Sequence, residues 1–285
     1  MLLREVEYAR PGTLEEAVRL LGEHEGARAL AGGQTLVNVM KQRAASPDVL
    51  VDLTHIDALR TIGFSADESA LELGAMVTLS RLLTSSEVEV ARPVLAEVAR
   101  TVADVQVRNR GTVGGNICVN DPTNHLPPLV VALGASMTIQ SSAGERVVSA
   151  DDFFVGVFET AVREGDLLTR ISIPTRVPGS GDAMSGVTLG AHGTYVANAA
   201  ASVSAAGWRI VLGCVGGIPV RATAVEERLA GTDAGEALVT EAVAGLGATL
   251  DPPSDVHGTA DYRRALAEVA VTRAVLQAAA RARGE

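Results

Sequence analysis

The chain has 285 residues, a length that suits one large domain or two modest ones. Its formal net charge is −10 and aromatic residues make up only 3% of it, so nucleic acid and anionic membranes would be repelled and base-stacking surfaces would be scarce. We therefore expect no nucleic acid and no membrane among its partners, and small ligands instead.

Two residue counts exclude further classes of chemistry. Lys41 is the only lysine, so no Walker A loop is present and a Schiff-base mechanism would depend on this one residue. Cys118 and Cys214 cannot supply the four thiolates of an iron–sulfur cluster or build a cysteine-rich zinc site. We expect no metal site in the chain. Few cysteines, no leader at residues 1–10 and no long apolar run predict a soluble, cytoplasmic protein.

The first part of the chain alternates helices with short apolar strands. Residues 13–16 have the spacing of a capping box and predict the start of a helix. A strand at 28–30 leads through the turn 31–35 into a second helix, and further strands are predicted at 49–53 and 71–75. The pattern predicts an α/β unit whose glycine pair lies on a strand-to-helix turn with exposed N–H groups.

A second glycine-rich segment follows a helix predicted at 93–105. It covers residues 108–122, and we interpret it as a loop. A buried helix is predicted at 126–134, followed by strands at 136–140 and 167–174.

Residues 174–193 are rich in glycine and contain two prolines, which is typical of a loop or linker. We place a domain boundary in this segment. The remaining elements predict a mixed C-terminal domain, with strands at 197–206 and 209–215 and helices at 224–229, 234–246 and 261–283.

The two glycine pairs, Gly32-Gly33 and Gly114-Gly115, have a shared chemical character. Each admits close backbone approach and is followed by hydroxyl or amide side chains, so the two segments together suit the pyrophosphate of a dinucleotide. Neither fits the G-x-G-x-x-G pattern, which disfavours a Rossmann site. The alternative is that each pair is an ordinary tight turn.

Several motifs resemble one family, the FAD-binding medium subunit of the molybdenum hydroxylases of the carbon monoxide dehydrogenase and xanthine dehydrogenase type. The likeness covers nearly the whole chain. The segments that carry it include Leu30-Ala-Gly-Gly-Gln-Thr-Leu36, Asp104-Val-Gln-Val-Arg-Asn-Arg-Gly-Thr-Val-Gly-Gly-Asn116, Asp152-Phe-Phe-Val-Gly156, Glu159-Thr160 and Tyr262-Arg263-Arg264.

The resemblance implies an α+β fold in two parts. Residues 1–176 would form a two-subdomain PCMH-type FAD-binding fold, with subdomains of about 1–56 and 57–176. Residues 177–285 would form the C-terminal α+β domain of the same family.

The resemblance also implies a cofactor site but no catalytic residue. The two glycine segments would wrap the pyrophosphate and ribityl chain of FAD, and Leu168 would lie by the isoalloxazine. Tyr195 either stacks over the flavin or packs in the core. The cofactor-binding residues expected are Leu30, Ala31, Gly32, Gly33, Gln34, Thr35, Thr112, Val113, Gly114, Gly115, Asn116, His125 and Leu168, together with Tyr195 as a candidate from its own position at the start of an apolar strand.

Two departures from the family pattern concern this site. His125 stands where relatives often have an acidic residue near the ribityl chain. We expect either that it accepts a flavin hydrogen bond and titrates near its reference pKa of about 6.5, or that it faces solvent. Residues 182–188 lack the lysine that many relatives carry close to the flavin, which would leave tuning of the flavin potential to other groups.

The resemblance predicts an FAD-binding electron-transfer subunit of a molybdenum hydroxylase-type complex. Such a subunit passes electrons from an iron–sulfur small subunit to an external acceptor, while a molybdenum-binding large subunit oxidises the substrate. One alternative is a self-contained FAD-dependent small-molecule oxidase or dehydrogenase. Another is a flavin-free binding module, which would require both glycine segments to be purely structural.

Overall fold

The computed structural model describes residues 3–190 and 194–285. Residues 191–193, at the end of the predicted linker, lie outside the described residues. The described chain forms three units, each with its own sheet and its own apolar core. Helices and strands are mixed in all three, so the predicted α+β class is confirmed.

The first unit is a three-stranded parallel sheet in the order β1-β3-β2, covered by helices. Its elements are β1 (Glu7–Ala9), α1 (Leu14–Glu23), β2 (Ala27–Leu30), α2 (Leu36–Lys41) and β3 (Val49–Asp52). Thr13 caps α1, since its side-chain oxygen accepts a hydrogen bond from the Glu16 N–H at 3.2 Å, and the predicted start of this helix is confirmed. The buried face of α1 packs against the sheet.

The second unit is a five-stranded antiparallel sheet in the order β4-β5-β10-β6-β7, with helices and a short β8-β9 pair around it. Its helices are α3 (Leu79–Leu82), α4 (Ser86–Ala91), α5 (Pro93–Thr101), α6 (Val105–Arg110), α7 (Val113–Val119), α8 (Leu126–Ala132) and α9 (Ala150–Phe153). Its strands are β4 (Ile62–Phe64), β5 (Ala70–Gly74), β6 (Ser136–Ser141), β7 (Gly144–Ser149), β8 (Phe154–Gly156), β9 (Glu159–Thr160) and β10 (Leu167–Pro174).

The second glycine segment is largely helical. The prediction of a loop at 108–122 was therefore wrong over most of that range. Helix α6 ends at Arg110, and α7 begins after Thr112, whose side-chain oxygen accepts from the Gly115 N–H at 3.0 Å. This cap offsets the low helix propensity of two adjacent glycines in the first turn of α7.

The third unit is a four-stranded antiparallel sheet in the order β11-β12-β13-β14, packed against a long helix. Its elements are β11 (Gly181–Thr188), β12 (Tyr195–Ser204), β13 (Gly207–Gly213), β14 (Val220–Arg221), α10 (Thr223–Leu229), α11 (Glu236–Val243) and α12 (Ala260–Arg283). Strand β11 lies inside the segment predicted to be a linker, so that prediction was wrong for these residues. The glycines of β11 permit close packing, because a Cβ at Gly181 would collide with the Ala278 carbonyl group of α12.

A buried ion pair joins the second and third units. The Arg92 guanidinium donates to both carboxylate oxygens of Asp182, at 2.9 and 2.7 Å, and the two residues are only 7% and 5% exposed. Arg92 Nε also donates to the Pro174 carbonyl oxygen at 2.7 Å, and the Ser202 hydroxyl donates to Asp182 at 2.7 Å. The charges are therefore well compensated inside the protein.

No helix among the described residues is long and apolar enough to cross a membrane.

Replacing Asp182 by Asn should destabilise the fold strongly, because it leaves the Arg92 charge buried without a counter-charge. We expect a loss of about 3 kcal/mol in the free energy of unfolding, measured by urea titration. The matched control is Glu23→Gln, which breaks the exposed Arg19–Glu23 pair and should cost less than about 1 kcal/mol. Equal losses in the two variants would contradict the role assigned to the buried pair.

Candidate cofactor-binding site

A cleft with a volume of about 870 Å³ is lined by residues of all three units. The first unit contributes residues 31–36 and the second contributes both the start of α7 and the segment 158–166. The third unit contributes Thr194. This volume is within the usual range of small-molecule and cofactor sites. The cleft therefore brings together two glycine segments that are about 80 residues apart in the sequence.

The first glycine segment offers a run of backbone donors. None of the N–H groups of residues 32–36 donates to an acceptor within residues 3–190 and 194–285. Gly33 has a φ of +71°, a left-handed conformation that glycine adopts without steric cost. The turn is held by the Gln34 side chain, which donates to the Gly32 carbonyl oxygen at 3.2 Å. Such consecutive N–H groups form an anion-binding concavity.

The second glycine segment does not offer backbone donors in the same way. The N–H groups of residues 113–115 are used internally. The N–H groups of Val113 and Gly114 donate to the carbonyl oxygens of Val77 at 2.8 Å and Ala75 at 2.9 Å. The Gly115 N–H donates to the side-chain oxygen of Thr112. A Cβ at Gly114 would lie 2.6 Å from the Ala75 Cβ. The expectation that both segments grip the pyrophosphate through N–H groups was therefore wrong for the second, whose glycines serve packing.

The two segments touch each other directly. A Cβ at Gly32 would collide with the carbonyl oxygen of Arg110, and one at Gly115 would lie 3.7 Å from the Ala31 Cβ. The absent side chains thus let the backbone of the first unit pack on the backbone of the second. Gly32 is needed for this contact, which forms a continuous wall of the cleft.

Two buried polar atoms in the cleft lining have no hydrogen-bond partner among the described residues. They are Asn116 Oδ1 and His125 Nε2. The Asn124 side chain donates to the backbone oxygen of Asn116 at 2.9 Å and so leaves the Asn116 side chain available. A buried polar atom without a partner costs free energy, which a ligand with hydroxyl groups recovers. With the donors of residues 32–36, these atoms fit a dinucleotide that carries both a pyrophosphate and a polyol chain.

His125 is buried rather than solvent-facing. It is 7% exposed at the start of α8, and its ring centroid lies 4.3 Å from that of Tyr195, with 46° between the ring planes. Burial lowers the pKa of His125 to about 4. Titration near pH 6.5 was therefore a wrong expectation, and the imidazole stays neutral at physiological pH.

Nine of the candidate residues line the cleft and five do not. Those in the lining are Ala31, Gly32, Gly33, Gln34, Thr35, Thr112, Gly115, Asn116 and His125. Those outside it are Leu30, Val113, Gly114, Leu168 and Tyr195. Leu168 is 3% exposed in the core of the second unit, and Tyr195 packs on His125. Contact with the cofactor stays a prediction for all fourteen candidate residues, those in the lining included.

Sequence reasoning missed a further part of the cleft wall. The segment from Phe158 to Asp166 lies there, and the cations Arg28 and Arg163 are also in the lining. The ion pair between Asp166 and Arg146, at 2.7 Å, holds this wall. Only Glu159-Thr160 carried a motif signal, because these residues come together through tertiary contacts and not through local spacing.

Among the described residues, the cleft shows no cluster of metal ligands, and its one cysteine is not activated. Within the described part of the chain, no group of three or more His, Cys, Asp or Glu side chains is placed to hold a metal ion. Burial raises the pKa of the Cys118 thiol to about 12, so the thiol in the cleft lining stays protonated and unreactive.

Comparison with known protein families agrees with this geometry. Residues 4–176 match the model of the FAD-binding domain in molybdopterin dehydrogenase. Residues 180–278 match the model of the CO dehydrogenase flavoprotein C-terminal domain. Together the two models cover most of the chain.

Relatives and solved structures of the same kind match along the full length. The chain is 36% identical to the carbon monoxide dehydrogenase medium chain of Afipia carboxidovorans, over 97% of this chain and 98% of that one. It is 33% identical to the nicotine 6-hydroxylase medium subunit of Paenarthrobacter nicotinovorans, over 99% and 100%. The structure matches quinoline 2-oxidoreductase from Pseudomonas putida 86 with a TM-score of 0.93 at 34% identity, covering 99% of both chains. The protein belongs to the family of FAD-binding medium subunits of molybdenum hydroxylase-type oxidoreductases.

The substitution Gly33→Val tests the run of donors. A β-branched side chain at a φ of +71° is strained, so the turn should rearrange and the N–H groups should no longer converge. We expect the dissociation constant for FAD to rise at least tenfold in equilibrium titrations. Gly231→Val is the matched control, because Gly231 has a φ of +72° in open space outside the cleft lining. Equal FAD affinity in the two variants would mean that residues 32–36 form an ordinary turn.

The burial of His125 predicts a pH effect on folding. Its pKa is lowered in the folded state, so the unfolded chain takes up this proton first and stability is lost as the pH falls from about 6.5 towards 4. Between pH 7.5 and 4.5, the free energy of unfolding of the His125→Gln variant should therefore fall by about 2 kcal/mol less than that of the wild type. The measurement compares urea unfolding of the two proteins across this range. Parallel pH profiles would show that His125 is not buried as a neutral ring.

Proposed function

We propose that this chain is the electron-transfer subunit of a molybdenum hydroxylase-type complex, and that it passes electrons from an iron–sulfur subunit to an external acceptor. One observation carries the proposal. The cleft combines a run of unpaired N–H groups at residues 32–36 with two unpartnered buried polar atoms, on Asn116 and His125.

The cleft residues would hold FAD in distinct ways. The N–H groups of residues 32–36 would donate to the pyrophosphate, and the cations Arg28 and Arg163 would offset its charge. Asn116 and neutral His125 would accept hydrogen bonds from hydroxyls of the ribityl chain. When bound, FAD supplies reversible one- and two-electron transfer, and the protein supplies binding, orientation and electrostatics.

Two cleft side chains of the kinds that serve as nucleophile or general base, Cys118 and His125, are not prepared for that chemistry. The Cys118 thiol is kept protonated by a pKa of about 12. His125 has its pKa lowered to about 4, and its ring packs on Tyr195 instead of pairing with a nucleophile. Substrate oxidation is therefore assigned to another subunit. This is the physical ground for preferring an electron-transfer role over a self-contained oxidase or dehydrogenase.

Two partner subunits follow from this proposal. Because Cys118 and Cys214 are the only cysteines, an iron–sulfur cluster must come from a separate small subunit. A molybdenum-binding large subunit would oxidise the substrate. The named relatives are themselves a medium chain and a medium subunit, which supports a complex of several subunits. We place the complex in the cytoplasm, where a chain with two free cysteines remains reduced.

The full chain expressed alone should bind one FAD without a covalent link and should not oxidise a metabolite. Flavin absorbance after gel filtration measures the binding. Affinity purification from the native host, with iron and molybdenum analysis, should recover both metals with this subunit. A colourless chain that gains no flavin would remove the basis of the proposal. Turnover of a metabolite by the lone chain at about 1 to 10³ s⁻¹ would favour the self-contained enzyme.

A further inference from the structure

Phe158 is an aromatic residue in the cleft lining that remains largely open to solvent. It is 62% exposed, whereas the nearby Phe153 and Phe154 are buried in the core of the second unit. Aromatic residues make up only 3% of the chain. An exposed phenyl ring gains nothing from burial in this state, so its place in a ligand cleft needs a physical reason.

The backbone at Phe158 is held in an unfavourable conformation. Its φ is +56°, in the left-handed region that bulky residues rarely adopt. Backbone strain of this kind persists only where the surrounding structure imposes it, and it concentrates at ligand-binding sites.

Asn120 imposes this conformation. It is 1% exposed and ends α7, and its side chain donates to the carbonyl oxygens of Gly156 at 2.6 Å and Glu159 at 3.2 Å. Its own carbonyl oxygen accepts from the Phe158 N–H at 3.2 Å. Three hydrogen bonds therefore tie both sides of Phe158 to the end of the helix that begins at the second glycine segment.

The neighbours of Phe158 show that exposure alone does not place a residue in the cleft. Val155 and Val157 are 56% and 53% exposed, but neither is in the cleft lining. In the turn between β8 and β9, Phe158 is therefore part of the cleft lining while its two apolar neighbours are not. Among the described lining residues, Phe158 is the only one with a six-membered aromatic ring.

We propose that Phe158 is a binding residue whose ring packs against a planar ring of the dinucleotide in the cleft. This inference rests on the proposed function, because it takes FAD as the occupant. Both FAD ring systems, the isoalloxazine and the adenine, have the π-face that such packing requires. The preset conformation of Phe158 lowers the ordering cost of binding, which explains why the strain is retained.

Equilibrium titration of the full chain with FAD tests the inference. Phe158→Ala should raise the dissociation constant by on the order of tenfold, which is the scale of one lost stacking contact. Val157→Ala is the matched control and should stay within about twofold of the wild type. The thermal midpoints of both ligand-free variants should equal that of the wild type, because both side chains are more than half exposed.

Two further measurements identify the ring. If Phe158 packs on the isoalloxazine, Phe158→Trp should quench flavin fluorescence and Phe158→Ala should bind ADP normally. If it packs on the adenine, Phe158→Ala should weaken ADP binding as much as FAD binding. An FAD affinity of Phe158→Ala equal to that of Val157→Ala would overturn the inference and leave the proposed function intact. A wild-type chain that binds no FAD would overturn both.

Discussion

The direct contact between the backbones of the two glycine segments is the constraint on which the cleft depends. Gly32 packs against the carbonyl group of Arg110, where any side chain would collide. A Cβ at Gly115 would be in ordinary van der Waals contact with the Ala31 Cβ, at 3.7 Å, so the two segments also touch there. This contact joins the first unit, with its parallel sheet, to the second unit, with its antiparallel sheet, at one wall of the cleft. Without this contact, the donors of residues 32–36 and the side chain of Asn116 would not face the same ligand.

The third unit supports the cleft through contacts with residues outside the two glycine segments. Tyr195 supports the His125 ring, and the Cys214 N–H donates to the Pro122 carbonyl oxygen at 3.1 Å, beside the cleft. The buried pair of Arg92 and Asp182 joins this unit to the second. Residues 182–188, which lack the lysine that the resemblance led us to look for, belong to β11, and the first of them, Asp182, forms this ion pair. Asp182 therefore has a structural role, as the counter-charge of Arg92.

The sequence predicted most of the helices and strands, and nine of the predicted site residues line the cleft. The start of α1, the strand before the first glycine pair and the buried helix after His125 were all predicted, because capping residues and apolar periodicity are local signals. The helix α7 was missed, since adjacent glycines read as a loop and only the Thr112 cap and the contact with Ala75 stabilise a helix there. Strand β11 was missed for a similar reason, because Gly181 packs against α12 and Gly186 packs against the side chains of Tyr195 and Asn198 on β12.

The sequence by itself determined the family, the mixed fold class and the two segments that meet at the cleft, because these depend on motifs and residue types along the chain. Only the tertiary structure decided which groups remain free to bind. It showed that the N–H groups of residues 32–36 are unpaired while those of 113–115 are used, that His125 is buried and neutral, and that Phe158 is held towards the cleft by Asn120. Hydrogen-bond pairing, burial and backbone strain arise from contacts between distant residues, and local sequence does not encode them.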